Sequence, residues 1–159
     1  MARALQSSQD IMFQMMSEAK EKVIVAVSGG VDSAVLLHKL LQSDKYEIIV
    51  AHFDHGMRPG SAKDAEFVEN LALTAGLVFE KGTEKLGSNA SEATARSARY
   101  QFLKTLKMKH RANKIATGHH LDDELETAVI NIMRGTGRRG LTAMRHNQSI
   151  WRPMLHLSR

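Results

Sequence analysis

At 159 residues the chain has room for one α/β domain with a sizeable core, and its 43% hydrophobic and 25% charged content is that of an ordinary globular protein. No apolar run is long enough to span a bilayer, which argues against a membrane protein, and the absence of cysteine excludes disulfides, thiolate-bound zinc or iron–sulfur clusters and persulfide chemistry on this chain. A formal charge of +5 is concentrated at the C-terminal end, and the composition is compatible with a cytoplasmic setting.

The first 22 residues place Ile11, Met12, Met15, Met16 and Ala19 at helical spacing. Asp10, Glu18 and Glu21 argue against a cleaved targeting peptide, so the segment is expected to be an amphipathic lead-in helix packed on a domain over 23–159. Residues 23–27, all apolar, read as a buried strand, and Ala34-Val35-Leu36-Leu37 with Leu40-Leu41 as a helix buried on one side. Between them stands Ser28-Gly29-Gly30-Val31-Asp32-Ser33, a tight glycine turn from strand to helix. Two glycines allow close backbone approach, and a helix start favours an anion such as phosphate. Ser28 and Ser33 add hydroxyl donors. Asp32 beside phosphates would repel them unless a divalent cation lay between, so it is read as a Mg²⁺ ligand. The bland reading is ordinary helix-entry chemistry, with Asp32 or Ser33 as a cap. A Walker-type P-loop is excluded, because no Lys follows the glycines.

Residues 47–52 form a second apolar strand, which runs into His52-Phe53-Asp54-His55-Gly56-Met57-Arg58-Pro59-Gly60, a loop at a strand's C-terminal end, where open α/β sheets place ligands. This loop is read as the nucleotide-side neighbour of the glycine turn, or else as a solvated histidine loop. Ser61 and Asp64 look like a capping box for a helix whose apolar face is Ala65, Val68, Leu71, Ala72 and Ala75, with Gly76 as its stop. Residues 77–80 are a weak third strand and 81–90 a polar, glycine-containing connection. Ser91 caps a helix predicted to reach about Lys109. On that helix Glu92, Arg96 and Arg99 stand at i, i+4 and i+7, which suits either an ordinary ion pair or a carboxylate-oriented Arg aimed at phosphate.

Residues 114–117 read as a fourth strand closed by Gly118, and His119-His120-Leu121-Asp122-Asp123-Glu124-Leu125-Glu126-Thr127 opens another helix. Acidic residues in a first turn complement the helix dipole. Asp122, Asp123 and Glu126 can also converge on one face, to bind Mg²⁺ with Asp32 or to hold an ammonium group. From Thr127 onward there is no Asp, Glu or Lys, but six Arg, among them Arg134, Arg138, Arg139 and Arg152. Arginine suits bidentate phosphate contacts, so this end is read as facing a polyanion such as RNA, or as a solvated surface balanced by acidic residues elsewhere. A fifth strand is expected around 149–152. The whole reads as a doubly wound α/β fold, a parallel sheet of about five strands with helices on both faces.

The glycine turn resembles the signature of PP-loop, N-type ATP pyrophosphatases of the adenine nucleotide alpha hydrolase-like fold. Taken with the His52 loop, Glu92-Ala93-Thr94-Ala95-Arg96 with Arg99-Tyr100, the His119–Thr127 run, Arg134-Gly135-Thr136-Gly137 and Arg152-Pro153-Met154-Leu155, the series resembles the tRNA(Ile)-lysidine synthetase family. Met57 and Met154 stand where that family usually has Leu, and Ala143 where Gly is usual.

The resemblance implies an enzyme that uses ATP to adenylate the C2 oxygen of the wobble cytidine in isoleucine tRNA with a CAU anticodon, releasing pyrophosphate. L-lysine then displaces AMP. It implies that Ser28, Gly29, Gly30, Val31, Asp32 and Ser33, with His52 and Asp54, hold ATP, and that Mg²⁺ sits on Asp32 and Glu126. Asp122 or Asp123 would orient the lysine ammonium, Arg96 and His119 would contact phosphates or the activated base, and Arg134, Arg138, Arg139 and Arg152 the tRNA. Members of that family continue beyond the Arg-Pro stretch, so the resemblance also implies a catalytic region truncated at its C-terminus. The alternative is a nucleotide-binding module that holds ATP without modifying tRNA. Oligomeric state stays open, with a homodimer compatible.

Overall fold

The computed structural model describes residues 20–56, 60–84, 91–119, 133, 135 and 150–155; the lead-in helix expected over 1–22 lies almost wholly outside them. Five strands form one sheet: β1 Glu21–Ala26, β2 Tyr46–Asp54, β3 Val78–Thr83, β4 Lys114–Thr117 and β5 Ile150–Trp151. Their order is β3-β2-β1-β4-β5, and every pairing is parallel. Parallel neighbours need crossovers, and three described helices supply or follow them: α1 Val31–Ser43, α2 Ser61–Thr74 and α3 Glu92–Lys109.

Val23, Ile24 and Val25 in the central strand are all fully buried, because both faces of the sheet are covered. On one face Val23, Val25, Ile48 and Val50 pack against Leu36, Leu37 and Leu40 of α1 and Val68 and Ala72 of α2. On the other, Ile24, Ile49 and Ile115 pack against Leu103 and Leu106 of α3. Each fully buried aliphatic side chain contributes about 1.5–3 kcal/mol relative to exposure, so these two clusters fix which helix lies on which face. The chain leaves β1 in one direction through α1 to β2, and returns by α3 to β4 on the far side of β1. The strand order therefore reverses between β1 and β4, which opens a crevice at their C-terminal ends.

Two local expectations change. Helix α2 has no capping box: its N-cap is Gly60, at φ 103°, and no side chain caps it. Ser61 is already helical, and its hydroxyl serves the Asp54 carboxylate instead. Strand β3 also continues beyond residue 80 into the segment expected to be a connection. Its register carries Lys81, Gly82 and Thr83 alongside His52, Phe53 and Asp54. Gly82 disguises this in the sequence, yet a Cβ there would stand 2.7 Å from ring carbons of Phe53 and Phe102, so the glycine makes room for two aromatic rings.

Candidate functional site

A cavity of about 650 Å³ lies at the C-terminal ends of β1, β2 and β4. The turn after β1 forms one wall. Val27 N–H donates to the Ala51 carbonyl at 2.9 Å, which carries the sheet pairing up to the base of the turn. Gly29 then takes φ +89°, and Gly30 is the extended N-cap of α1 with no side-chain cap. The first turn of α1 thus presents N–H groups that have no partner within the helix, and its dipole points at the same space. Ser33 shapes the turn as well as lining the cavity: its hydroxyl donates to the Gly30 carbonyl at 2.8 Å and accepts the Ser28 N–H at 3.2 Å. Gly118, just after β4, lets the chain pass close behind, since a Cβ there would stand 3.1 Å from backbone atoms of Asp32 and Ser33.

Side chains from β2 alternate between the faces and so furnish two different surfaces. His52 is buried, and its Nδ1 lies 2.9 Å from the Val27 carbonyl. A carbonyl only accepts, so Nδ1 carries the proton, and this imidazole ties β2 to the residue preceding the glycine turn. Asp54 accepts the Gly56 N–H at 2.8 Å, and this bond above all holds its carboxyl below the usual range, with Ser61, His52 and Lys81 acting the same way. On the α3 side, Phe53 joins Ala26, Ala51 and Leu103 in an apolar wall. His55 packs edge-on against Phe53, ring centroids 4.9 Å apart. Burial, and next the Arg99 guanidinium, push the His55 pKa down. Arg99 is the one Lys or Arg among the described lining residues, in a cavity that also holds the carboxylates of Asp32, Asp54 and Asp64.

The structure brings Ser28, Asp32, Ser33, His52, Asp54 and His119 together around this cavity, while Val31 turns its side chain to solvent. His119 places Nδ1 2.9 Å from the Thr117 hydroxyl at the end of β4. Arg96 is not among the lining residues; it lies over the Tyr100 ring, 5.1 Å from the centroid. Arg152 follows β5, also away from the described lining. Asp122, Asp123, Glu126, Arg134, Arg138 and Arg139 fall outside the described residues, as does the Glu92 side chain that would pair with Arg96.

The sequence reading missed Asp64 and the apolar wall as members of the site, and named His55 only within its loop and Arg99 only beside Arg96, with no separate role for either. For Arg99 a signal existed: it stands four residues before Leu103, on the helix face that turns to the sheet. Asp64 had none, because its place depends on how α2 packs beside the glycine turn.

A strand, a glycine turn and a helix start aimed into a cavity with one polar and one apolar wall suit a ligand with phosphates at one end and a flat ring at the other. The comparisons with known proteins agree. A solved structure, the U34-tRNA thiolase NcsA from Methanococcus maripaludis with its [4Fe-4S] cluster, superposes with a TM-score of 0.71 at 19% identity, covering 87% of this chain and 53% of that one, which shows the shared fold. A tRNA(Ile)-lysidine synthase of Thermosipho africanus is 39% identical over 152 residues, 89% of this chain and 36% of the relative. One from a Nostoc species is 40% identical over 151 residues, 89% of this chain and 44% of the relative, so the chain spans less than half the length of either. The PP-loop domain pattern matches residues 3–159, nearly the whole sequence, and the chain therefore belongs to the PP-loop domain family of ATP-binding proteins.

Proposed function

We propose that this chain is the ATP-pyrophosphatase part of a tRNA(Ile)-lysidine synthase, which joins L-lysine to C2 of the wobble cytidine in isoleucine tRNA with a CAU anticodon, in the cytoplasm. The observation that carries this reading is the glycine turn with Asp32 opening into a cavity with an apolar wall, in a chain 39% and 40% identical to two proteins of that name. The fold alone would serve a thiolase equally well, but this chain has no cysteine to supply thiolate chemistry.

The reaction has two displacements. The cytidine O2 attacks the α-phosphorus of ATP, and the bond to the bridging oxygen breaks to release pyrophosphate. The ε-nitrogen of lysine then attacks C2, the C2–O2 bond breaks, AMP departs and the amine loses its proton. The α1 N-terminus and the turn amides suit the departing pyrophosphate, because donors fixed before the reaction stabilise charge as it develops. The apolar wall of Ala26, Ala51, Phe53 and Leu103 suits the adenine ring. No group of three potential ligands converges on a metal site among the described residues. Asp32, which lines the cavity beside the glycine turn, would hold a Mg²⁺ ion, with Glu126 as a further ligand. When bound, the cation would neutralise charge on the departing phosphates. Asp122 or Asp123 is assigned the lysine ammonium, His119 and Arg96 the phosphates or the activated base, and the C-terminal arginines the tRNA backbone.

The test is pyrophosphate release by the purified chain with Mg-ATP, lysine and tRNA(Ile) bearing CAU, each omitted in turn. Release that requires both ATP and that tRNA, and that falls by about a hundredfold or more in Asp32→Ala, is the expected result, on the scale of losing one charge-stabilising group at a reacting centre. ATP binding without tRNA-dependent release would mean a nucleotide-binding module that does not modify tRNA on its own.

A further inference from the structure

Helix α3 and the residues just after it differ in charge from their neighbour α2. From Ala93 to Asn113 there is no Asp or Glu, against six Lys or Arg, whereas α2 mixes Lys63 with Asp64, Glu66 and Glu69. A solvated helix face ordinarily carries both signs, because like charges a turn apart repel one another. Two of the six have a place in the fold: Arg99 lines the cavity and Lys109 pairs with Glu80. Arg96, Tyr100, Lys104 and Lys107 follow one another at intervals of four, four and three residues, so they share one face of the helix. Arg111, just past the helix end, continues the run. Arg96, Lys104 and Arg111 are exposed and Lys107 partly so, and none of these four cations forms an ion pair with a described residue.

The stripe from Arg96 to Arg111 is about 22 Å long at 1.5 Å per residue. It begins beside the cavity, since Arg99, three residues from Arg96, lines it. Unpaired cations repeated along one line complement an evenly charged polyanion, and a nucleic-acid backbone is such a partner. At the cavity end, the guanidinium groups of Arg96 and Arg99 lie over the Tyr100 ring, 5.1 and 5.4 Å from its centroid. Aromatic rings and guanidinium planes are the surfaces on which unpaired RNA bases stack. An anionic membrane would call for an apolar face beside the charges, and Met108 is the one large exposed apolar side chain described on α3.

We propose that the outer face of α3, through Lys104, Lys107 and Arg111, holds the phosphate backbone of the tRNA where it leaves the cavity mouth. This rests on the tRNA reading above and adds to it a docking surface apart from the C-terminal arginines.

The experiment is fluorescence anisotropy with a labelled tRNA(Ile) bearing CAU, at salt from about 50 to 200 mM, the range over which backbone contacts are screened. Lys104→Ala, Lys107→Ala and Arg111→Ala combined should weaken binding about tenfold or more at the lowest salt and lower the slope of log Kd against log salt by about 2. ATP affinity and the urea midpoint of that variant should stay at the wild-type values. Lys39→Ala, Lys45→Ala and Lys63→Ala combined remove the same charge from exposed positions on and beside α1 and α2, and should leave the slope unchanged. Lys104→Arg, Lys107→Arg and Arg111→Lys combined should bind like the wild type. A folded α3 variant with wild-type affinity and slope overturns the inference, and so do equal losses in the two alanine variants, which would trace the effect to net charge. Both results leave the tRNA reading intact where pyrophosphate release still requires that tRNA. A folded wild type that binds ATP and fails to bind the tRNA overturns both.

Discussion

Asp54 and His55, neighbours at the end of β2, are both held below their ordinary pKa ranges, with opposite consequences for charge. For Asp54 the leading cause is the Gly56 N–H, which favours the carboxylate; for His55 it is burial, which favours the neutral ring. The stability that Asp54 contributes is fully present above the ordinary carboxylate range and is lost as pH falls through its depressed value. In the window between His55's depressed pKa and the ordinary histidine value, the unfolded chain binds more protons than the folded one, so stability falls on acidification there too. Urea midpoints measured from about pH 7 down to pH 5 should therefore decline, and His55→Asn should flatten the part of that decline that belongs to the imidazole. An unchanged slope in the variant would mean that His55 titrates as it does in the unfolded chain.

Helix α3 shows how one element serves both fold and site. Ser91 caps it by accepting the Thr94 N–H at 3.1 Å, Leu103 and Leu106 bury one face, and Arg99 reaches the cavity a turn before Leu103. At its far end Lys109, with His110 just beyond, meets Glu80 of β3 at 2.7 and 2.6 Å, an ion cluster that holds the Glu80 carboxyl below its usual range. Ser91→Ala should cost about 1 kcal/mol of stability, read as a shift in the urea midpoint with unchanged slope, and Ser91→Asp should restore most of it. The cap was legible because a serine preceding a long helical stretch is a local signal. The Glu80 cluster was not, since its members lie 29 and 30 residues apart and meet only when α3 is laid across the sheet.

For the whole sheet, one cluster at the edge opposite the cavity joins four strands. Lys114 of β4 forms an ion pair with Glu21 of β1 at 2.7 Å and lies over the rings of Trp151 in β5 and Tyr46 in β2, 4.4 and 5.5 Å from their centroids. The two rings are themselves 5.3 Å apart. Because β5 is only two residues long, this clasp supplies much of what holds it, and Arg152 follows directly. Trp151→Ala should cost about 3 kcal/mol, and amide exchange should speed up first in β4 and β5 while β1 and β2 keep their protection. Uniform loss of protection across the sheet would count against the clasp.

Apolar runs, a glycine turn between strand and helix, and helix stops such as Gly76 were enough to read all five strands, their alternation with helices and the polar wall of the cavity. These are local properties, set by backbone freedom and by the period at which side chains meet a core. Strand order is not local, and neither is what it creates: the reversal between β1 and β4, the room that Gly82 leaves for Phe53 and Phe102, and the meeting of His55 with Arg99. Those contacts join residues far apart in the chain, so only packing decides them. Packing also separated Arg99 from Arg96, two similar side chains three residues apart on one helix: both guanidinium groups lie over the Tyr100 ring, 5.4 and 5.1 Å from its centroid, but of the two only Arg99 lines the cavity.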